Sequence, residues 1–189
     1  MRALLPFIVA TLILPASSHL RAAENVAVPA FKSVELRGGG NVVVVPGQTQ
    51  RVTIVEGSSQ VTRFRMKEGG RLQIDICDRQ CPRNYSLQVR IESPRVPDLA
   101  ISGGGGINVS GGFSPQSHIA VAIDGGGKID ARAVEVRDVT AAVDGGGRIN
   151  VRAGSILTAA VDGGGAIRYS GNPRVTSAID GGGSVTREN

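Results

Sequence analysis

A short glycine pattern recurs along this chain and limits what it can fold into. Nineteen of the 27 glycines fall in six clusters, each with the same frame: apolar, any residue, three glycines, any residue, apolar. From Ile101 onward the frame recurs after 22, 20, 18 and 18 residues. A period near 20 residues is typical of a solenoid, in which each repeat is one structural unit. The glycines do not fall at every third position, which excludes collagen.

Apolar residues alternate with small or polar residues on both sides of the clusters. Ile119, Val121 and Ile123 precede one cluster, and Ile129 and Ala131 follow it. A spacing of two places these side chains on one face of a strand. Each repeat is therefore predicted to hold two short strands joined at a corner, where glycine adopts positive φ without a Cβ penalty. The middle glycines mark the predicted corners: Gly39, Gly104, Gly126, Gly146, Gly164 and Gly182.

These patterns predict an all-β chain, folded as a right-handed parallel β-helix-like solenoid with glycine-rich corners and an irregular N-terminal part. Residues 101–185 hold the regular coils. Residues 31–100 mostly lack the frame but carry strand patterns, which predicts irregular coils or a hairpin at one end. We expect residues 24–189 to form a single domain.

The N-terminus has the composition of a secretory signal peptide. Met1 and Arg2 precede an apolar run, Ala3 to Leu14, that is too short to span a bilayer. Small residues follow, so we expect residues 1–23 to be the signal peptide, with cleavage between 18 and 23. A buried core helix is the alternative. The mature chain would be exported, periplasmic or secreted, and would contain no transmembrane segment.

Two cysteines, Cys77 and Cys81, lie close together in the irregular part. In an exported protein such a pair is typical of a disulfide, and Pro82 favours a turn at this point. Free or redox-active thiols are a second interpretation. A metal site is a third, for which two thiols supply too few ligands.

Four aspartates occupy the same position in successive repeats, directly before the glycines: Asp124, Asp144, Asp162 and Asp180. In-register stacking would line up their carboxylates in a column, where like charges repel. Either each carboxylate accepts hydrogen bonds from the following glycine N–H groups, as in an Asx-turn, or the column holds a cation such as Ca²⁺. The repeats match the calcium-binding β-roll consensus poorly. We therefore expect no metal and no other cofactor, with this column as the candidate if a metal binds.

Three segments carry a family pattern. Residues 31–42 lead into the first glycine cluster, residues 69–74 form a strand after two glycines, and residues 97–103 introduce the cornered repeats. Together they resemble the bacterial "putative auto-transporter adhesin head GIN domain" over about residues 31–185. The resemblance implies a right-handed β-helix-type solenoid in an exported, often cell-envelope, protein. Family members usually have Gly-Ser-Gly at the corners, and the family supplies no catalytic residues.

Charge and composition limit the classes of function that the chain can have. The formal charge of +5 falls to +3 without residues 1–23, which contain Arg2 and Arg21, and the basic residues are scattered, which argues against nucleic acid. Aromatic residues, at 3%, are too few for a sugar-cleaving groove. We expect a non-enzymatic cell-envelope protein, adhesin-like or a binding module, with an envelope protein or a glycan as partner. The alternatives are a polysaccharide-acting β-helix enzyme and a structural envelope scaffold. The open C-terminal coil is a candidate surface for self-association.

Overall fold

The structure is a computed structural model that describes residues 23–77 and 81–188. The predicted signal peptide, up to residue 22, lies outside these residues. The described chain contains fifteen strands and one short 3₁₀ turn, Glu68–Gly70, which confirms the all-β prediction. The strands are β1 (Glu24–Val26), β2 (Ser33–Arg37), β3 (Asn41–Pro46), β4 (Arg51–Glu56), β5 (Arg63–Lys67), β6 (Arg71–Asp75), β7 (Gln88–Ser93), β8 (Asp98–Gly103), β9 (Gly106–Val109), β10 (Gln116–Gly125), β11 (Lys128–Gly145), β12 (Arg148–Asp162), β13 (Ala166–Ser170), β14 (Arg174–Asp180) and β15 (Ser184–Arg187).

Each glycine corner joins two strand segments, and we call the two segments with their corner a unit. The segments before the corners are the front strands, and those after the corners are the back strands. Neighbouring units pair in parallel and in register, so that Ile123 is opposite Val143 at the front and Ile129 is opposite Ile149 at the back. β11 and β12 are long because each contains the back strand of one unit and the front strand of the next.

The units do not stack in chain order at the N-terminal end. The unit β2–β3 pairs with β8 and β9 on one side and with β6 and β7 on the other. After β3 the chain therefore leaves the stack, returns at its outer end as β6 and β7, and re-enters on the inner side as β8. The first glycine corner, residues 38–40, consequently lies directly beside the corner of residues 103–106.

Antiparallel strands cover this N-terminal end of the stack. β4 pairs with β1 and β7, and β5 pairs with β6, all in antiparallel orientation. The sheet is therefore mixed, and the predicted parallel β-helix solenoid is not confirmed, because hairpins rather than further parallel coils complete this end. Cys77 and Cys81 form a disulfide with a Cα–Cα distance of 5.7 Å, directly after β6. The disulfide prediction is confirmed.

The inward side chains form one continuous hydrophobic core. Ile119, Val121 and Ile123 of β10 are at most 2% exposed, as the spacing of two predicts. Burying such a side chain contributes about 1.5–3 kcal/mol, so that neighbouring units stabilise one another through their shared interior. The burial decreases at the C-terminal unit, where Val175 is half-buried and Ile179 is 47% exposed.

The backbone constraint at a corner falls on its first and third glycines. Gly125 has a φ of 117°, and a Cβ there would lie 2.6 Å from the carbonyl oxygen of Gly103 in the neighbouring unit. A Cβ on Gly127 would lie 2.7 Å from the Ile101 side chain. Gly126 has open space at this position and donates its N–H to the Gly103 oxygen at 2.9 Å. The corner therefore brings two backbones together at the first glycine and leaves the second facing outward.

The middle glycines named from the sequence thus lie at the corners without carrying their steric constraint. Open space surrounds five of them: Gly104, Gly126, Gly146, Gly164 and Gly182. Gly39 differs, with a φ of 152° and the Ile76 side chain 3.6 Å from a Cβ. An open middle position leaves room for a small side chain such as the serine that the family resemblance implies there.

The two kinds of glycine should respond differently to the same substitution. We expect Gly125→Ala to destabilise the protein by about 2 kcal/mol or more, because it combines positive φ with a backbone clash. Gly126→Ala should change the stability by less than about 1 kcal/mol. Thermal melts of the two variants test this, and equal melting temperatures would contradict the assignment.

Candidate functional site

The front strands present three outward columns of side chains, which together we call the front array. Strand alternation turns these residues away from the core, and parallel register aligns them from unit to unit. The first column is Ala120, Thr140, Thr158 and Thr176; the second is Ala100, Ala122, Ala142, Ala160 and Ala178; the third is Ser102, Asp124, Asp144, Asp162 and Asp180.

A shallow groove of about 620 Å³ follows the alanine and aspartate columns. It extends from Glu35 and Arg71 near the N-terminal end to Asp180 in the last unit. The alanine methyl groups form its floor, and the carboxylates line one side. Because adjacent strands lie about 4.8 Å apart, the same chemical group recurs at that interval along the groove.

The four aspartates form the predicted column, and all four are exposed. In the described part of the chain their carboxylates have neither a hydrogen-bond nor an ion-pair partner. The corner amides bond elsewhere: the Gly126 N–H donates to Gly103 O at 2.9 Å, and the Gly146 N–H to Gly125 O at 3.0 Å. The Asx-turn interpretation is therefore wrong, because these N–H groups continue the ladder between units. The column is a line of uncompensated negative charge.

The four carboxylates lie along a line and do not cluster around one point at which a cation could bind. Within residues 23–77 and 81–188, no three His, Cys, Asp or Glu side chains form a group that could hold a metal ion. The aspartates are spread along the groove, one per unit, and each faces solvent. The geometry suits contact with an extended surface better than coordination of one cation.

Removing one charge from the middle of the column should stabilise the protein. Asp144 has an aspartate on both sides, so Asp144→Asn relieves two repulsions and should raise the free energy of unfolding by about 0.5–1 kcal/mol at low salt. The gain should shrink in 1 M NaCl, where charges are screened. Denaturant unfolding at both salt concentrations measures it, and a loss of stability in Asp144→Asn would contradict the repulsion.

A second polar cluster lies on the outward side of the back strands. Asp130 accepts hydrogen bonds from Arg132 at 2.7 Å and from the buried Asn150 at 3.2 Å. Glu188, near the C-terminus, accepts from Arg132 at 3.1 Å and from Arg168 at 3.3 Å. The cluster therefore ties residue 188 to units that lie one and three repeats away in the chain.

The ionisation of Asp130 follows from these contacts. Burial would raise the pKa of its carboxyl, but the hydrogen bonds from Arg132 and Asn150 outweigh burial and hold the pKa below its ordinary value. The same carboxylate raises the pKa of the Arg132 guanidinium. Asp130 is thus held ionised, and we assign the cluster a structural role.

The lowered pKa of Asp130 predicts a pH dependence of stability. A carboxyl whose pKa is lower in the folded state stabilises the fold above its unfolded-state pKa, and that contribution is lost as the pH falls through the folded-state value. Asp130→Asn should therefore be less stable than the wild type at pH 6, with the gap closing in acid. Unfolding titrations between pH 6 and pH 2 measure the difference in the free energy of unfolding between the two proteins. A difference that does not change with pH would contradict the assignment.

Comparison with known proteins agrees with the fold and the predicted resemblance. Residues 98–173 match the family described as "Putative auto-transporter adhesin, head GIN domain", which confirms the resemblance over this segment. No curated protein matches the chain. No helix in the described residues is long and apolar enough to cross a membrane.

Solved structures with similar folds cover most of the chain. A putative adhesin from Bacteroides fragilis aligns with a TM-score of 0.55 and 18% identity, over 88% of this chain and 96% of that one. At this identity the similarity supports the fold alone. A putative lipid binding protein from Parabacteroides distasonis (TM-score 0.36, 18% identity, 88% and 96% covered) and a putative adhesin from Parabacteroides merdae (0.38, 13%, 89% and 96%) align more loosely, and we draw nothing from them.

The structure brings together some of the residues considered from the sequence and separates others. The aspartates form their column, whereas the Cys77–Cys81 disulfide follows β6, the front strand at the opposite end of the stack. The alanine floor was missed. Its signal is present in residues 139–144 and 157–162, VTAAVD and LTAAVD, where threonine, alanine and aspartate alternate with buried residues.

Proposed function

We propose that this is an exported, non-enzymatic cell-envelope protein of adhesin type, a binding module that presents the front array to an envelope protein or a glycan. Residues 1–23 act as its signal peptide, and residues 24–189 form one domain in the periplasm or outside the cell. The regular units form a right-handed β-solenoid, and the C-terminal unit contributes a surface for self-association.

The in-register repetition of the front array carries this proposal. Threonine, alanine and aspartate recur together in three successive units, 139–144, 157–162 and 175–180, except that Ser177 replaces one inward alanine. Their backbones belong to paired strands, so little conformational entropy is lost when a partner binds. A partner with its own repeat would make the same small contact several times, and such contacts reinforce one another.

Charge favours a partner with cationic groups. The whole chain carries a formal charge of +5, yet the groove is lined by Asp124, Asp144, Asp162 and Asp180. Cationic groups spaced along an extended partner would relieve the repulsion within the column. The exposed alanine floor has low desolvation cost and accommodates a flat surface.

The enzymatic alternative finds less support in the described residues. A sugar-cleaving groove normally carries aromatic platforms, but Tyr169 packs against the core from the back strands. The hydroxyl of Tyr85 accepts a hydrogen bond from the Ser58 N–H at 2.8 Å and lies 2.7 Å from Thr62 Oγ1. Neither tyrosine lines the front groove.

Binding assays on two matched variants test the proposal. The front variant replaces Asp124, Asp144 and Asp162 with Asn, and the control replaces the exposed Lys128 and Arg148 of the back strands with Gln. We expect the purified wild type and the control to bind isolated cell envelopes or an arrayed glycan, and the front variant to lose at least about tenfold in affinity. Retained binding by the front variant, or loss only in the control, would overturn the proposal.

A further inference from the structure

The last unit leaves one edge of a front strand without a partner. β14 pairs with β12 on one side, and among the described strands none pairs with its other side. Ile179 is 47% exposed there, although its equivalents Val143 and Val161 are 2% exposed. Free backbone groups beside an exposed apolar side chain are the features of a strand edge that accepts a further strand.

The backbone groups at this edge can be assigned. The Gly163 N–H donates to the Asp180 carbonyl oxygen at 2.8 Å, so the backbone groups of Asp180 face β12. Successive residues of a strand alternate in direction. The N–H and C=O groups of Val175, Ser177 and Ile179 therefore face the open edge.

The sequence of β14, RVTSAID, is complementary to itself in antiparallel orientation. If Ser177 lies opposite Ser177 of a second copy, Arg174 lies opposite Asp180 and Val175 opposite Ile179. Opposite charges and apolar side chains directly across a strand pair attract. In this register Val175, Ser177 and Ile179, whose backbone groups face the open edge, take the hydrogen-bonded positions. Each such pair exchanges two hydrogen bonds.

We infer that two copies of this chain associate through antiparallel pairing of β14 about a twofold axis at Ser177. The dimer joins the two front sheets into one and covers Ile179. The inference deepens the self-association within the proposed function and does not depend on partner binding by the front array. A contact of this kind closes on itself and gives a discrete dimer.

The strand edge at the other end has the opposite character. β5 pairs only with β6 among the described strands, and its sequence is RFRMK. In a symmetric antiparallel pair Arg63 would lie opposite Lys67, and Arg65 opposite itself, so that like charges would meet. Charged edge strands of this kind disfavour pairing with another chain.

A charge-swap series tests the dimer with the purified protein and no added partner. Sedimentation should show a monomer–dimer equilibrium for the wild type. Arg174→Asp and Asp180→Arg should each weaken dimerisation about tenfold or more, because each places like charges opposite one another twice. The double variant should restore the dimer, and an equimolar mixture of the two single variants should form a heterodimer. Circular dichroism melts verify that every variant is folded.

A cysteine pair provides an independent measurement. Cα atoms of a hydrogen-bonded antiparallel pair lie about 5.5 Å apart, within the disulfide range, so Ser177→Cys should give a cross-linked dimer on oxidation. Thr176→Cys is the control, since Thr176 would lie opposite Ala178 and not opposite itself.

Several results would overturn the inference: a wild type that stays monomeric, open-ended polymers, single charge variants that dimerise like the wild type, or equal cross-linking of both cysteine variants. Binding by the front array is measured in a separate assay, so a failure of the dimer inference can be distinguished from a failure of the proposed binding function.

Discussion

The approach of one glycine backbone to the next determines how closely the units stack. At Gly145 a Cβ would lie 2.8 Å from the Gly125 carbonyl oxygen, and at Gly163 a Cβ would lie 3.0 Å from the Gly145 oxygen. The absence of these Cβ atoms lets the corner amides continue the hydrogen-bond ladder between units. Parallel register at the corners then aligns the inward side chains as a core and the outward side chains as columns. The front array is therefore a consequence of the corners.

The regular part of the fold follows from local pattern. The spacing of two around each glycine cluster predicted the buried sets, such as Ile119, Val121 and Ile123, and the constant frame predicted the register. The disulfide was also predictable, because two cysteines this close are typical of a disulfide in a chain that is expected to be exported. Each of these features depends on residues that are near one another in sequence or one period apart.

The N-terminal end could not be predicted in the same way. The placement of β2–β3 between β6–β7 and β8–β9 depends on pairings between distant residues, such as Leu36 with Ile74 and with Ile101. Many strand orders satisfy the same alternation. The antiparallel pairing of β4 and β5 was open for the same reason, since the sequence predicted strands there without fixing their direction.

The site was predictable in part. The repeated position of the aspartates predicted their column, but their hydrogen bonding was predicted wrongly because the N–H groups of Gly126 and Gly146 already serve the neighbouring unit. The partner chemistry that we propose for the array rests on shape and charge, because an alanine floor lies beside a line of carboxylates.

Deletion of one full repeat tests the central claim that corner-to-corner register specifies the stack. Removing residues 156–173 joins Ser155 to Arg174 and lets β14 and β15 take the places of the lost front and back strands, with Val175 in the position of Leu157. We predict that this variant folds cooperatively and keeps its β-sheet circular dichroism, whereas removal of residues 156–164, half a period, does not. An unfolded full-repeat deletion, or equal behaviour of the two deletions, would contradict the claim.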